Sequence, residues 1–105
     1  MEKPNLTYIH NLSGGDKEFK KKIISIIKEE YPEEINEYYT NFNLKNYSIA
    51  ATNVHKLKHK ISILGLEESY EIAAEYENNL KEGNSILSDK FEIILQNITD
   101  YLITL

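Results

Sequence analysis

The chain has 105 residues, of which 41% are hydrophobic and 28% are charged, and its formal net charge is −5. This length provides one hydrophobic core, so we expect a single domain over residues 1–105. The negative charge disfavours nonspecific nucleic-acid binding, and the absence of cysteine excludes disulfides and thiolate chemistry. No apolar stretch approaches the roughly 20 residues that span a bilayer, and the N-terminus lacks a secretion signal. We therefore expect a cytoplasmic protein without membrane contact.

Apolar residues recur at helical spacing over almost the whole chain, which predicts four main helices after a short leading helix. The leading segment contains Leu6, Ile9 and Leu12. Residues 13–16, Ser-Gly-Gly-Asp, end this segment and supply a capping residue for the long helix that follows. Pro32 falls within that long helix. Because proline lacks a backbone donor, we expect either a kink or a restart of the helix there.

Polar residues and glycines mark the remaining helix ends. Asn46 is expected to be the N-cap of a helix that runs to about residue 64, and Gly65 can end that helix in a left-handed conformation. A further helix is expected over about residues 67–81, and a last helix is expected to be capped by Ser88 or Asn84. Helices with short connections favour antiparallel packing. The predicted fold is therefore all-α, an antiparallel four-helix bundle with a short N-terminal leading helix.

His55 lies on the outer face of the helix that follows Asn46. At about 100° per residue, the opposite side is an apolar stripe, formed by Ala50, Val54, Leu57, Ile61 and Leu64. The neighbours of His55 on the outer face are small or polar, namely Ser48, Ala51, Thr52, Lys58, His59 and Ser62. Because no bulky apolar side chain stands beside the imidazole, we expect a second protein to reach it. A neutral imidazole nitrogen is a nucleophile near neutral pH.

Other interpretations of this face are also open. An exposed histidine alone is most simply a solvated surface residue. The chain has no P-loop and no kinase-type glycine-rich loop. If phosphoryl chemistry occurs at His55, the nucleotide and the metal must therefore come from another protein. His55 and His59 form an i, i+4 pair that suits a transition metal, but no third ligand is evident and lysines repel cations, so we predict no metal site. The cluster of Lys56, Lys58 and Lys60 is either a solvated face or a docking site for an acidic partner.

The motif around His55 resembles that of a known family. Residues 55–58, His-Lys-Leu-Lys, match the His-x-Leu-Lys core of the histidine-containing phosphotransfer (HPt) domain. Gly65 and Glu77 stand where that family has its helix-ending glycine and a glutamate of the next helix. With these positions and the helix pattern in register, the chain resembles an HPt domain over roughly residues 6–102. His59 departs from the pattern, because the family most often has glycine directly after the motif lysine.

The resemblance implies a role for each matched residue. His55 is expected to be the phosphoacceptor and Lys58 to stabilise the phosphoryl group, whereas Gly65 and Glu77 are expected to be structural. The implied partner is the receiver domain of a response regulator or hybrid histidine kinase, which supplies the aspartate and the magnesium ion. We therefore expect a monomeric phosphocarrier in two-component signalling, not an enzyme, with no cofactor of its own. Its expected partner-binding residues are Ala51, Thr52, Lys56, His59 and Ser62.

A second interpretation belongs to a different functional class. The chain would then be a helical bundle used only for protein interaction, and His55 would be incidental. Transfer of phosphate from a phosphorylated receiver domain distinguishes the two interpretations.

Overall fold

The computed structural model describes residues 2–105, and these residues form five α-helices and no strand. The helices are α1 (Thr7–Ser13), α2 (Lys17–Asn43), α3 (Tyr47–Ile63), α4 (Glu67–Lys81) and α5 (Ser88–Ile103). The prediction of an all-helical chain, with one short helix before four longer ones, is confirmed for these residues. Their principal dimensions are 44 × 23 × 20 Å. Within residues 2–105 no helix combines the length and the apolar character needed to cross a bilayer.

Helix α2 begins at the predicted cap. One carboxylate oxygen of Asp16 accepts hydrogen bonds from the backbone amides of Glu18 and Phe19, at 3.0 and 3.1 Å. The helix then continues to Asn43, with Pro32 inside it. The restart that we considered at Pro32 is therefore wrong. Tertiary contacts on either side hold the helix together, since Tyr31 and Tyr38 are both buried.

Two predicted caps are absent. Asn46 precedes α3 as expected, but its side chain makes no capping hydrogen bond. Neither Ser88 nor Asn84 caps α5. The side-chain oxygen of Asn84 instead accepts a hydrogen bond from the backbone amide of Ile86, at 2.9 Å. The predicted boundaries hold, but a polar residue near a helix end can bond to the preceding loop instead of the helix.

The apolar stripe of α3 lies in the centre of the core. Its five predicted members are all fully buried, namely Ala50, Val54, Leu57, Ile61 and Leu64. Helix α3 packs most extensively against α4 and α2. It runs antiparallel to α2, because Asn53 bonds to Asn41 near one end and Lys60 bonds to Glu30 further along. This packing fixes α3 on two sides and leaves its outer face open.

A segment before α1, residues 2–5, crosses the ends of other helices, and we call it the N-terminal strap. The carboxylate of Glu2 accepts hydrogen bonds from the backbone amides of Glu68 and Ser69, at 3.0 and 2.8 Å. Burial raises the pKa of Glu2, but these hydrogen bonds outweigh burial and hold the pKa below its ordinary value. The side chain of Asn97 in α5 donates to the backbone oxygen of Glu2 at 3.0 Å. Glu2 therefore caps α4 from a distant part of the chain.

The strap also covers the turn between α3 and α4. The backbone amide of Asn5 donates to the carbonyl of Leu64 at 2.9 Å. Gly65 follows with φ +78°, the left-handed conformation predicted for it. A Cβ at Gly65 would lie 2.6 Å from the side-chain nitrogen of Asn5. This turn therefore needs glycine both for its backbone angle and for the close approach of the strap.

Candidate functional site

His55 projects from α3 with its ring partly open to solvent and one nitrogen held by a carboxylate. Its side chain is 53% exposed. The ring nitrogen Nδ1 lies 3.2 Å from Oε2 and 3.3 Å from Oε1 of Glu77. Because an ionised carboxylate only accepts hydrogen bonds, this contact places the ring proton on Nδ1. The neutral ring then carries its lone pair on Nε2, which is the nucleophilic nitrogen.

Glu77 is the centre of the site. Its side chain is only 9% exposed, and Oε1 lies 3.0 Å from Nζ of Lys58. Oε2 lies 3.4 Å from Nζ of Lys81, one turn along α4. Burial raises the pKa of Glu77, but hydrogen bonds from Lys58 and His55 and the charge of Lys58 outweigh it, so the pKa lies below its ordinary value. The carboxylate is therefore ionised near neutral pH and joins the histidine to two lysines.

The sequence did not reveal this role of Glu77. The resemblance suggested a structural residue at that position, whereas in the structure it contacts the candidate nucleophile directly. The only available signal was its spacing from His55, and spacing alone does not indicate which way a side chain on α4 points. Glu77 is therefore best described as a positioning residue for His55.

Lys58 lies on the same side of α3 as His55, as predicted, but it is not free. Its side chain is only 15% exposed. Besides its ion pair with Glu77, its Nζ lies 5.5 Å from the centre of the Tyr70 ring. A lysine held between a carboxylate and an aromatic face has a restricted set of positions. In this arrangement the positive charge of Lys58 balances the negative charge of Glu77.

Most of the residues expected to bind a partner are at the surface around His55. Thr52, Lys56, His59 and Ser62 are exposed. The ring of His59 stands edge-on to that of His55, with ring centres 5.1 Å apart and an angle of 87° between the planes. Ala51 differs, because only 1% of it is exposed. The expectation that Ala51 lies on the open face is wrong, since α4 packs against α3 on that side.

The expected cluster of three lysines is divided between two sides of α3. Nζ of Lys60 lies 2.8 Å from Glu30 and 3.4 Å from Glu34, both on α2, and its side chain is 11% exposed. Lys60 is therefore a partly buried contact between helices and not part of a basic docking surface, which corrects that expectation. Lys56 is 59% exposed and lies 4.0 Å from Glu37.

A hollow of about 390 Å³ lies between α3 and α4 beside His55. It is lined by Ala51, Thr52, His55, Lys56, Glu77 and Lys81. The lining combines a nucleophilic imidazole, a carboxylate and two exposed lysines. Such a concavity is suited to a small anionic group attached to, or approaching, the imidazole.

Within residues 2–105 no group of three or more His, Cys, Asp or Glu side chains is placed to hold a metal ion. Searches of protein-family models, curated proteins and solved structures find no match to this chain. Its function must therefore be inferred from the geometry around His55.

Proposed function

We propose that this protein is a phosphorelay intermediate that accepts a phosphoryl group on Nε2 of His55 and passes it on. The donor and acceptor is the aspartate of a receiver domain in a two-component system. The observation that carries the proposal is the contact of 3.2 Å between Nδ1 of His55 and the buried carboxylate of Glu77. This contact orients a half-exposed imidazole and assigns the free lone pair to the outward nitrogen.

The transfer needs no base on this chain. The Nε2 lone pair attacks phosphorus, the N–P bond forms, and the P–O bond to the receiver aspartate breaks, so that the aspartate leaves as a carboxylate. The proton stays on Nδ1, and the ring acquires a positive charge. Glu77, ionised and in contact with Nδ1, stabilises that charge. The reverse sequence returns the group to a receiver, and the receiver supplies the magnesium ion.

The proposed architecture is an antiparallel four-helix bundle of α2–α5 with α1 as the leading helix. Two observations support it. Helix α3 packs against both α2 and α4, and its apolar stripe is buried throughout. A nucleophile on such a helix is held rigidly, which favours transfer within a transient complex of two proteins. The protein would act as a monomeric cytoplasmic phosphocarrier and not as an enzyme.

The docking surface proposed for the receiver surrounds His55. It consists of exposed side chains on α3, namely Thr52, Lys56, His59 and Ser62. A receiver domain carries acidic side chains at its phosphorylation site, so the charge of Lys56 favours the encounter. His59 beside the nucleophile restricts the shape of receiver that fits, because its ring occupies space next to His55.

The first prediction is that His55→Gln abolishes phosphoryl acceptance and leaves the fold intact. His55 is half exposed and contributes little to the core. Radiolabelled phosphorylated receiver domains from the same genome are incubated with the wild type and the variant, and acid-labile phosphate on this chain is measured. The wild type should be labelled and His55→Gln should not, with equal far-UV circular dichroism.

His59→Gln is the matched control, because it removes the neighbouring imidazole from the same helix face. It should retain labelling. Labelling of His55→Gln would show that another residue is the acceptor. A wild type that binds receivers but takes no phosphate from any of them would favour a bundle used only for protein interaction.

A further inference from the structure

We propose that Lys81 of α4, and not Lys58, is the cation that contacts a phosphoryl group on His55. This inference rests on the proposed function, because it concerns the phosphorylated state of the same histidine. It differs from the expectation drawn from the sequence, in which the lysine one turn after His55 had this role.

Lys58 is engaged elsewhere. Its Nζ lies 3.0 Å from Oε1 of Glu77, and only 15% of its side chain is exposed. Moving it to a phosphoryl group would leave the largely buried carboxylate without its closest cation, and an uncompensated buried charge is strongly unfavourable. The contact with the Tyr70 ring holds the ammonium in the same place. Lys58 therefore stays with Glu77 when His55 is modified.

Lys81 has the freedom that Lys58 lacks. Its side chain is 59% exposed, and its Nζ lies 3.4 Å from Oε2 of Glu77. The same oxygen lies 3.2 Å from Nδ1 of His55, so the Lys81 ammonium and the His55 imidazole both contact this one carboxylate oxygen. Lys81 also lines the hollow beside His55. Its long side chain can move from Glu77 to phosphoryl oxygens in this hollow while Lys58 continues to compensate Glu77.

Lys56 is the other exposed lysine at this hollow, and it serves as a matched control. Its side chain is 59% exposed, the same fraction as that of Lys81. Its Nζ, however, is 4.0 Å from Glu37 on α2, so its charge lies on the side of α3 that faces α2. Replacing either lysine by alanine removes one exposed positive charge near His55. Only Lys81, however, contacts the carboxylate of Glu77 that also holds His55.

The test uses chemical phosphorylation, which needs no receiver domain. His10 and His59 are replaced by glutamine in every protein compared, so that His55 is the only histidine. Phosphoramidate then transfers its phosphoryl group to Nε2; its P–N bond breaks, ammonia leaves, and the new N–P bond forms. The second ionisation of the bound phosphoryl group is followed by ³¹P NMR as a function of pH. A neighbouring ammonium favours the doubly charged form and lowers the midpoint of this titration.

We expect Lys81→Ala to raise the midpoint by about 0.5 pH unit, an approximately threefold change in proton affinity for an exposed, solvent-screened charge. Lys56→Ala and Lys58→Ala should each produce a smaller shift, and Lys81→Arg should restore the wild-type midpoint. An equal shift in Lys56→Ala would show a general charge effect and overturn the proposal. A shift in Lys58→Ala as large as that in Lys81→Ala would return the role to Lys58.

The two proposals fail in different ways. If chemically phosphorylated His55 shows the Lys81 effect but no receiver exchanges phosphate with it, the site recognises phosphate and the relay function is wrong. If receivers exchange phosphate and Lys81→Ala leaves the titration unchanged, the relay stands and the assignment of Lys81 is wrong. If neither phosphoramidate nor any receiver phosphorylates His55, both proposals are overturned, because Nε2 is then not an accessible nucleophile.

Discussion

At Glu77, burial and charge act in opposite directions. Removal from water disfavours the ionised carboxylate, whereas Lys58, His55 and Lys81 all stabilise it. The stabilisation by these three side chains is larger than the effect of burial, so the pKa of Glu77 is lowered. This also affects the protonation of His55. An ionised Glu77 keeps the proton of His55 on Nδ1, so the lysines indirectly determine which nitrogen of the neutral imidazole carries the free lone pair.

The second prediction concerns acid sensitivity. The folded-state pKa of Glu77 lies below its ordinary value of 4.5. The ionised carboxylate therefore stabilises the fold above the unfolded-state pKa, and this stabilisation is lost as pH falls through the folded-state pKa. We expect the free energy of unfolding to decrease less between about pH 7 and about pH 3 in Glu77→Gln than in the wild type.

Urea unfolding at several pH values checks this expectation. Glu75→Gln is the matched control, since Glu75 is exposed on the same helix. It should leave the pH dependence nearly unchanged. If Glu77→Gln and the wild type lose stability in parallel, the folded state does not favour the ionised form of Glu77.

The sequence predicted the histidine of the candidate site but not the network around it. A helical wheel gives the angle of each side chain about its own axis, so it placed His55 on the outer face and the stripe of α3 in the core. It does not show which face a neighbouring helix covers. Ala51 and Lys60 were misplaced for this reason, because α4 covers one and α2 pairs with the other. The contact of Glu77 with His55 depends on how α3 and α4 are positioned relative to each other. The apolar periodicity of one helix does not show this.

Among the helices, α2 shows how tertiary contacts override a local signal. Pro32 cannot donate the hydrogen bond that a residue at this position would make to the carbonyl of Lys28. The helix nevertheless continues, because Tyr31 is buried and its hydroxyl donates to the carbonyl of Leu95 in α5 at 2.7 Å. Tyr38 anchors the next part of α2 to α4 through a hydrogen bond between its hydroxyl and that of Tyr76. Both buried hydroxyls stay neutral, since burial raises the pKa of each.

The third prediction is that Pro32→Ala stabilises the protein. Pro32 is exposed, so the substitution removes no core contact. It restores a backbone donor and a better helix former within a continuous helix, and we expect the free energy of unfolding to rise by about 1–3 kcal/mol. Urea unfolding measures the change, with the exposed neighbour Glu33→Ala as a control that should change stability by less than about 0.5 kcal/mol. A destabilised Pro32→Ala would mean that the proline ring makes a stabilising packing contact.

The periodic apolar pattern was sufficient to locate every long helix, because burying one face of a helix is the strongest term in its stability. The caps were less predictable. Asp16 caps α2 as expected, but Asn46 and Asn84 do not cap α3 and α5. A single side-chain hydrogen bond contributes about 1 kcal/mol, so nearby alternatives of similar energy compete with it.

At the scale of the whole molecule, the N-terminal strap connects regions that are distant in sequence. The fourth prediction compares Gly65→Ala with Gly83→Ala. Both glycines have φ +78°, so both substitutions carry the same backbone penalty of about 1 kcal/mol. Only at Gly65 would the new Cβ meet another group, the side chain of Asn5 at 2.6 Å. Gly65→Ala should therefore be the more destabilising by about 1 kcal/mol or more.

Thermal or urea unfolding of the two variants gives the comparison directly. Amide hydrogen exchange adds a local measurement, because a displaced strap exposes the amides of Glu68 and Ser69 that Glu2 now caps. Faster exchange at these amides is expected in Gly65→Ala and not in Gly83→Ala. Equal destabilisation by the two substitutions would show that Asn5 can move away from the new Cβ without a measurable loss of stability.

The order in which the strap finds its partners follows from where those partners lie in the chain. Glu2 bonds to groups 66, 67 and 95 residues further on. During synthesis these groups emerge from the ribosome long after Glu2, so residues 2–5 cannot complete these contacts until α2 and α3 have been made. Closing such long loops is slow compared with forming local helical contacts. Docking of the strap is therefore expected to be a late folding event, and a nascent chain that stalls before Asn97 lacks one of the contacts that hold it.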